Sequence, residues 1–181
     1  MIRKILMASV LFVAACTTPQ TSSYTLPPED RAAISTRIAN FEQAFVRGNT
    51  TEIVNIIPPR MIATIAKDAG VPEPMLRREL AKLTRETTRD VKILSFGMSL
   101  ENATFRTTPT GRPYGLIPTQ TVIRTAEGQK LQSNNQTLTL EDGDKWYLIR
   151  IDDARQVELM RKVYPDFKDV TFPKGTSKVI K

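Results

Sequence analysis

The sequence predicts an α+β domain, with N-terminal helices packed on a curved antiparallel sheet and an additional helix near the C-terminus. Three observations carry that class. Residues Thr119 to Ile151 read TQTVIRTAEGQKLQSNNQTLTLEDGDKWYLIRI, three strand-like runs rich in Thr, Val, Ile and aromatic residues. Glu127-Gly128 and Asp142-Gly143 separate those runs. Asp-Gly in such a place marks a hairpin, because a tight turn needs a positive φ that glycine adopts without steric cost. The stretch before Asp90 instead repeats its apolar residues at helical spacing. Within the meander, Leu131 falls on one strand parity and Leu138 and Leu140 on the other. One face cannot take all three unless an extra residue intervenes, so a β-bulge or sharp bend is expected near Asn134-Asn135.

At the N-terminus, Arg3 and Lys4 precede an apolar run from Ile5 to Val13, and Val13-Ala14-Ala15-Cys16 follows. A basic segment, a short apolar run and small residues at a cleavage point mark a secretory signal, and the run falls well short of the ~20 apolar residues that span a bilayer. Val-Ala-Ala-Cys resembles the lipobox of bacterial lipoproteins, in which the Cys thiol is lipidated and the preceding peptide removed. On that resemblance residues 1–15 are a signal peptide and Cys16 carries the acyl chains, palmitate among them. The protein is then expected to be attached to a membrane without being embedded in it. Thr17 in place of Asp after the Cys implies the outer membrane, facing the periplasm, by likeness to sorting in Gram-negative lipoproteins.

Residues 16–29, rich in Ser, Thr and Pro, read as an extended tether to a single domain over 30–173. Asp30 is placed to cap a first helix carrying Ile34, Ile38, Phe41 and Phe45 on one stripe, and Gly48 stops it. Asn49 and Glu52 stand in the capping-box relation, which predicts a short second helix from about Thr50 to Ile57. Pro59 opens a third helix holding Met61, Ile62 and Ile65, closed by Gly70. Pro72 or Pro74 opens a fourth, with Met75, Leu76, Leu80 and Leu83 on one face and Arg77, Arg78, Lys82 and Arg85 mainly elsewhere.

After Asp90 the period changes to two. Val91 to Phe96 and Ser99 to Thr107 read as strands joined near Gly97. Thr108 to Pro118, with its prolines and glycines, reads as the longest irregular loop. Beyond the meander, Asp152 or Asp153 is placed to cap a closing helix that ends before Pro165. Phe167 to Pro173 reads as a further extended segment, and residues 174–181 as a polar tail.

The chain has one Cys, no His and a net charge of +7. With Cys16 acylated, no thiol remains for disulfides, nucleophilic catalysis or thiolate metal sites. Without His, the usual general base and the commonest metal ligand are gone. No catalytic residue, metal, cofactor or nucleic acid is therefore expected, although a carboxylate in an apolar pocket stays open as a base. The positive balance favours anionic partners or is simply a solvated basic surface.

Helices followed by a bent sheet ending in Gly143-Asp144-Lys145-Trp146-Tyr147-Leu148-Ile149 form an order similar to the nuclear-transport-factor-2-like, cystatin-like superfamily. Phe41-Glu42-Gln43-Ala44-Phe45, Arg47-Gly48-Asn49 and the apolar run to Ile57-Pro58 share in that resemblance, which spans Asp30 to Asp153. The closing helix departs from it. The resemblance implies helices filling the concave face of a cone, often with a pocket, in a superfamily of enzymes, carriers and interaction domains, so fold alone leaves function open.

Candidate pocket residues are Thr121, Arg124, Asn134, Gln136, Trp146 and Tyr147, with Asn135 beside them. Amides, a guanidinium and aromatics suit a polar or anionic small ligand. The same residues read equally as a solvated sheet face and core aromatics. Arg112 and Tyr114 are candidate partner contacts in the Pro/Gly loop. The leading expectation is a non-catalytic, lipid-anchored envelope protein that binds a partner protein or small ligand. The alternatives are an isomerase-, dehydratase- or hydrolase-type enzyme using the cone, and a binder of anionic cell-wall polymer or lipid through the basic face of the fourth helix.

Overall fold

The structure, a computed structural model, describes residues 21–181. The signal segment and Cys16 lie outside the described residues. Helix α1 (Pro28–Arg47) starts on a proline and ends at Gly48, whose φ of 65° is the left-handed stop. Asp30 is not its cap: the carboxylate instead accepts the Trp146 indole N–H at 3.0 Å, tying the first turn to the sheet. Helix α2 (Thr50–Val54) begins where the Asn49 side chain accepts the Glu52 N–H, as the capping box predicts. Helices α3 (Pro59–Ala69) and α4 (Glu73–Thr88) both carry proline in the first turn, where the missing N–H costs nothing.

The strands are β1 (Lys92–Met98), β2 (Thr104–Thr107), β3 (Pro113–Arg124), β4 (Lys130–Asp142), β5 (Lys145–Arg150) and β6 (Thr176–Ile180). They form one strongly curled antiparallel sheet that is four ranks wide. Strands β1 and β2 share one edge of β3, while β5 and β6 share the far edge of β4. Helix α5 (Ala154–Val163) follows β5, with the Asp153 side chain rather than that of Asp152 capping it by accepting the Arg155 N–H.

Several expectations are corrected here. Strands β3 and β4 pair without interruption from Tyr114↔Leu140 to Arg124↔Lys130, so there is no bulge at Asn134-Asn135. The extra residue is Leu94 in β1, where the register shifts between Ile93 and Ser95. Gly97 lies within β1 rather than joining it to β2, and the two strands pair with β3 rather than with each other. The expected loop is mostly strand, since β3 begins at Pro113. Pro118 is tolerated inside it because its carbonyl, which accepts the Ser99 N–H, points to the gap between β1 and β2, so its absent N–H leaves no ladder bond unmade. The expected polar tail forms β6. Part of the expected tether is docked: the Tyr24 N–H donates to Phe105 and the Thr107 N–H to Ser22 beside β2, and Leu26 is buried.

Alternation along the strands divides the core between the two sheet faces. On one face α1 sets Ile34, Ile38 and Phe41 against Phe105, Ile117, Trp146 and Leu148. On the other, α5 and the turn after it set Met160, Val163, Tyr164 and Phe167 against Tyr114, Leu138, Leu140 and Ile149, with Met61 of α3. A third cluster, Val54, Ile62, Ala66, Leu76 and Ala81, joins α2, α3 and α4. Helix α4 contacts α2 and α3, and Met75 and Leu83 of its expected apolar face are exposed.

Candidate functional site

The face that carries α5 continues past the helix as open sheet. Along this half, Gly97, Gln120, Asn134 and Thr176 stand side by side on β1, β3, β4 and β6. Their row floors an open groove of about 570 Å³, walled by Met98-Ser99 on one side and Pro173-Lys174 on the other. The Gln120 and Gln132 amide nitrogens both donate to Asn134 Oδ1, at 3.0 and 3.3 Å. The Asn134 amide nitrogen has no partner among the described residues. Gln136, two residues along the same face, lines the groove beside Pro118.

Gly97 is the distinctive residue of that floor. It is not among the glycines of positive φ, and a Cβ built on it meets nothing within 4 Å. Neither backbone nor packing requires glycine there. A strand glycine weakens the ladder and often marks a bulge, a tight bend or a place that a ligand approaches closely; the β1 bulge itself is at Leu94, three residues away. Gly115 is the contrast, since its Cβ would lie 2.5 Å from the Phe105 ring.

A group of titratable side chains lies elsewhere, between α3, the β4–β5 hairpin and the turn after α5. The Arg112 guanidinium donates to Asp166 at 2.8 Å and to the Glu141 carbonyl at 3.1 Å. Arg60 and Arg112 lie over the ring of the buried Tyr164, at 4.9 and 5.4 Å from its centroid. Burial, and then the Asp142 carboxylate, push the Tyr164 hydroxyl far above its ordinary value. Asp142 itself accepts the Arg60 backbone N–H at 3.2 Å. Arg112, Asp142 and Asp166 are thus engaged with neighbouring groups, and the arrangement clasps the C-terminal segment to the sheet.

No protein-family model, curated protein or solved structure matches this chain. The site therefore rests on its own geometry. Among the described residues no helix is long and apolar enough to cross a membrane, and no three His, Cys, Asp or Glu side chains are placed to share a metal ion.

The residues singled out from sequence are divided by the fold. Asn134 and Gln136 line the groove, and Arg124 shares their face farther along β3. Thr121 pairs with Phe96 and Ser133 on the opposite face. Trp146 is buried under α1, and Tyr147 is buried beneath the Arg37 guanidinium, 4.8 Å from its centroid. Tyr114 is a core residue, 2% exposed, and Arg112 belongs to the clasp, so the two are not presented together on an exposed loop. Gly97, Gln120 and Lys174 were not singled out. The amides at 132, 134 and 136 of β4 carried a period-two polar signal that would have pointed to the face.

Proposed function

We propose that this chain is a non-catalytic binding domain of the bacterial envelope, held to the outer membrane by lipid on Cys16, with the amide-floored groove as its binding site. The Val-Ala-Ala-Cys motif after a signal-like segment supports the anchor, and the order of elements supports a distant likeness to the nuclear-transport-factor-2-like superfamily. The observation that carries the binding site is Gly97, an unforced glycine flooring a row of amides. The sheet face beneath α1, where a cone enzyme would place its chemistry, is occupied by Ile34, Ile38, Phe41, Ile117 and Leu148.

Native mass spectrometry of the protein taken gently from the envelope tests the site. A bound molecule carried by the wild type and lost from Gly97→Phe is expected, since the Cβ at this position has open space around it and the ring would occupy the groove. A bare mass for the wild type, or equal retention by both, would overturn the groove. The anchor is tested separately: Cys16→Ser is expected to leave an unprocessed or mis-sorted chain, and normal maturation with membrane retention would remove the lipid.

A further inference from the structure

Past the groove the same face turns cationic. Lys92, Arg124 and Lys130 stand directly side by side on β1, β3 and β4, and Lys178 follows one row inward on β6, opposite Gln132. Like charges directly opposite on neighbouring strands are destabilising, so a rung of three cations is a cost that the fold itself does not need. None of the four has a salt bridge among the described residues, and Lys130 is relieved only by the Lys181 carbonyl at 3.2 Å. By register, this face carries no carboxylate on β1, β3, β6 or residues 130–136 of β4. Helix α4 differs, because its cations are interspersed with Glu73, Glu79 and Glu86.

We infer that amides and cations form one continuous track for an anionic polysaccharide, a glycan chain bearing carboxylate or phosphate groups. This rests on the groove being the binding site. From Gln136 to Lys130 the track runs six residues along β4, roughly 20 Å at strand rise. Side-chain amides both donate and accept, which suits hydroxyl and acylamino groups at the groove end, and the cations suit acidic groups at the other. No aromatic side chain stands on this open half of the face, so the stacking platform that single-stranded nucleic acid uses is missing. A flat lipid surface would meet the protruding cations and leave the amides of the walled groove without partners.

Affinity electrophoresis of the full chain in neutral detergent tests the track, with oligogalacturonate as the carboxylated glycan, dextran as the neutral one and detergent micelles doped with phosphatidylglycerol as the lipid. Oligogalacturonate should retard the wild type, salt should weaken the retardation, and dextran should have little effect. Arg124→Gln with Lys130→Gln should weaken it about ten-fold, the equivalent of two modest charge contacts. Both side chains reach solvent, so that variant keeps its fold. Gly97→Phe should weaken the same binding while leaving every cation in place. Retardation that survives the charge variant overturns the inference. A response to phosphatidylglycerol micelles alone assigns the face to lipid and overturns it too. Loss in the charge variant with none in Gly97→Phe breaks the continuity of the track. Failure of all three probes, with a bound molecule still seen by native mass spectrometry, sinks the glycan and leaves the groove standing.

Discussion

Strands β3 and β4 have two halves with opposite characters. From Tyr114 to Ile117, and in the partners Leu140 to Thr137, both faces are covered, by α1 on one side and by α5 with its following turn on the other. From Gln120 to Arg124, and in the partners Asn134 to Lys130, no side chain is fully buried. One face there bears amides and cations, and the other bears Ile93, Ile123, Leu131 and Val179 in a single row across four strands. One pair of strands therefore supplies a core layer at one end and a solvent-facing surface at the other.

The contrast can be broken most sharply in the covered half. Leu138→Ala removes a side chain with no solvent exposure and should cost about 2–5 kcal/mol in a denaturant titration, as large-to-small core changes do. The matching change in the same row of the open half, Val179→Thr, should cost no more than about 0.5 kcal/mol, the usual size for an exposed position. Equal costs would erase the distinction between the halves.

Gly115→Ala comes next. Its added methyl meets both Phe105 and Thr139 at under 3 Å, and overpacking of that kind should cost about 1–3 kcal/mol. Gly97→Phe, in the open half of the same sheet, should leave the melting temperature at or above the wild type's.

Arg112→Gln should have a smaller effect with a pH signature. The Arg112 guanidinium, and then the Thr110 hydroxyl, hold the Asp166 carboxyl below its usual value. A carboxyl lowered in the folded state contributes stability that is complete above the ordinary carboxylate value near pH 4 and is lost as pH falls through the lowered one. Arg112→Gln should therefore cost about 1–2 kcal/mol at neutral pH, the penalty of unpairing partly buried partners. It should also flatten the acid limb of the stability curve, and an unchanged limb would show that Asp166 is held by something else.

The two halves also explain what was legible beforehand. Helix stops at Gly48 and Gly70, the Asn49 cap, the Asp-Gly hairpin and the Asp153 cap are local signals, and each appears where the local chemistry requires it. The parity conflict between Leu131 and Leu138 was real, but its cause is not local. The covered half buries both faces, so Leu138 packs toward α5 while Leu131 sits on the face α1 uses farther up the strand, and no bulge is needed. The Pro/Gly stretch was misleading because Pro118 falls at a gap between two edge strands, a coincidence visible only in the assembled sheet. The candidate site was half legible for the same reason. Asn134 and Gln136 share one strand, whereas Gly97, Gln120, the cationic rung and Lys178 are brought together from segments up to 86 residues apart.

The segment docked beside β2 has a mechanical consequence. The Tyr24 and Thr107 N–H donations and the 2.6 Å contact between the Ser22 and Thr107 hydroxyls secure the chain just before α1 begins. A pull on the residues that precede Thr21 would load these bonds before it reached the helix. They would part and re-form as a strain relief, much as a knot behind a grommet spares a cable's connector, and the hydrophobic core would carry the load only after they had given way.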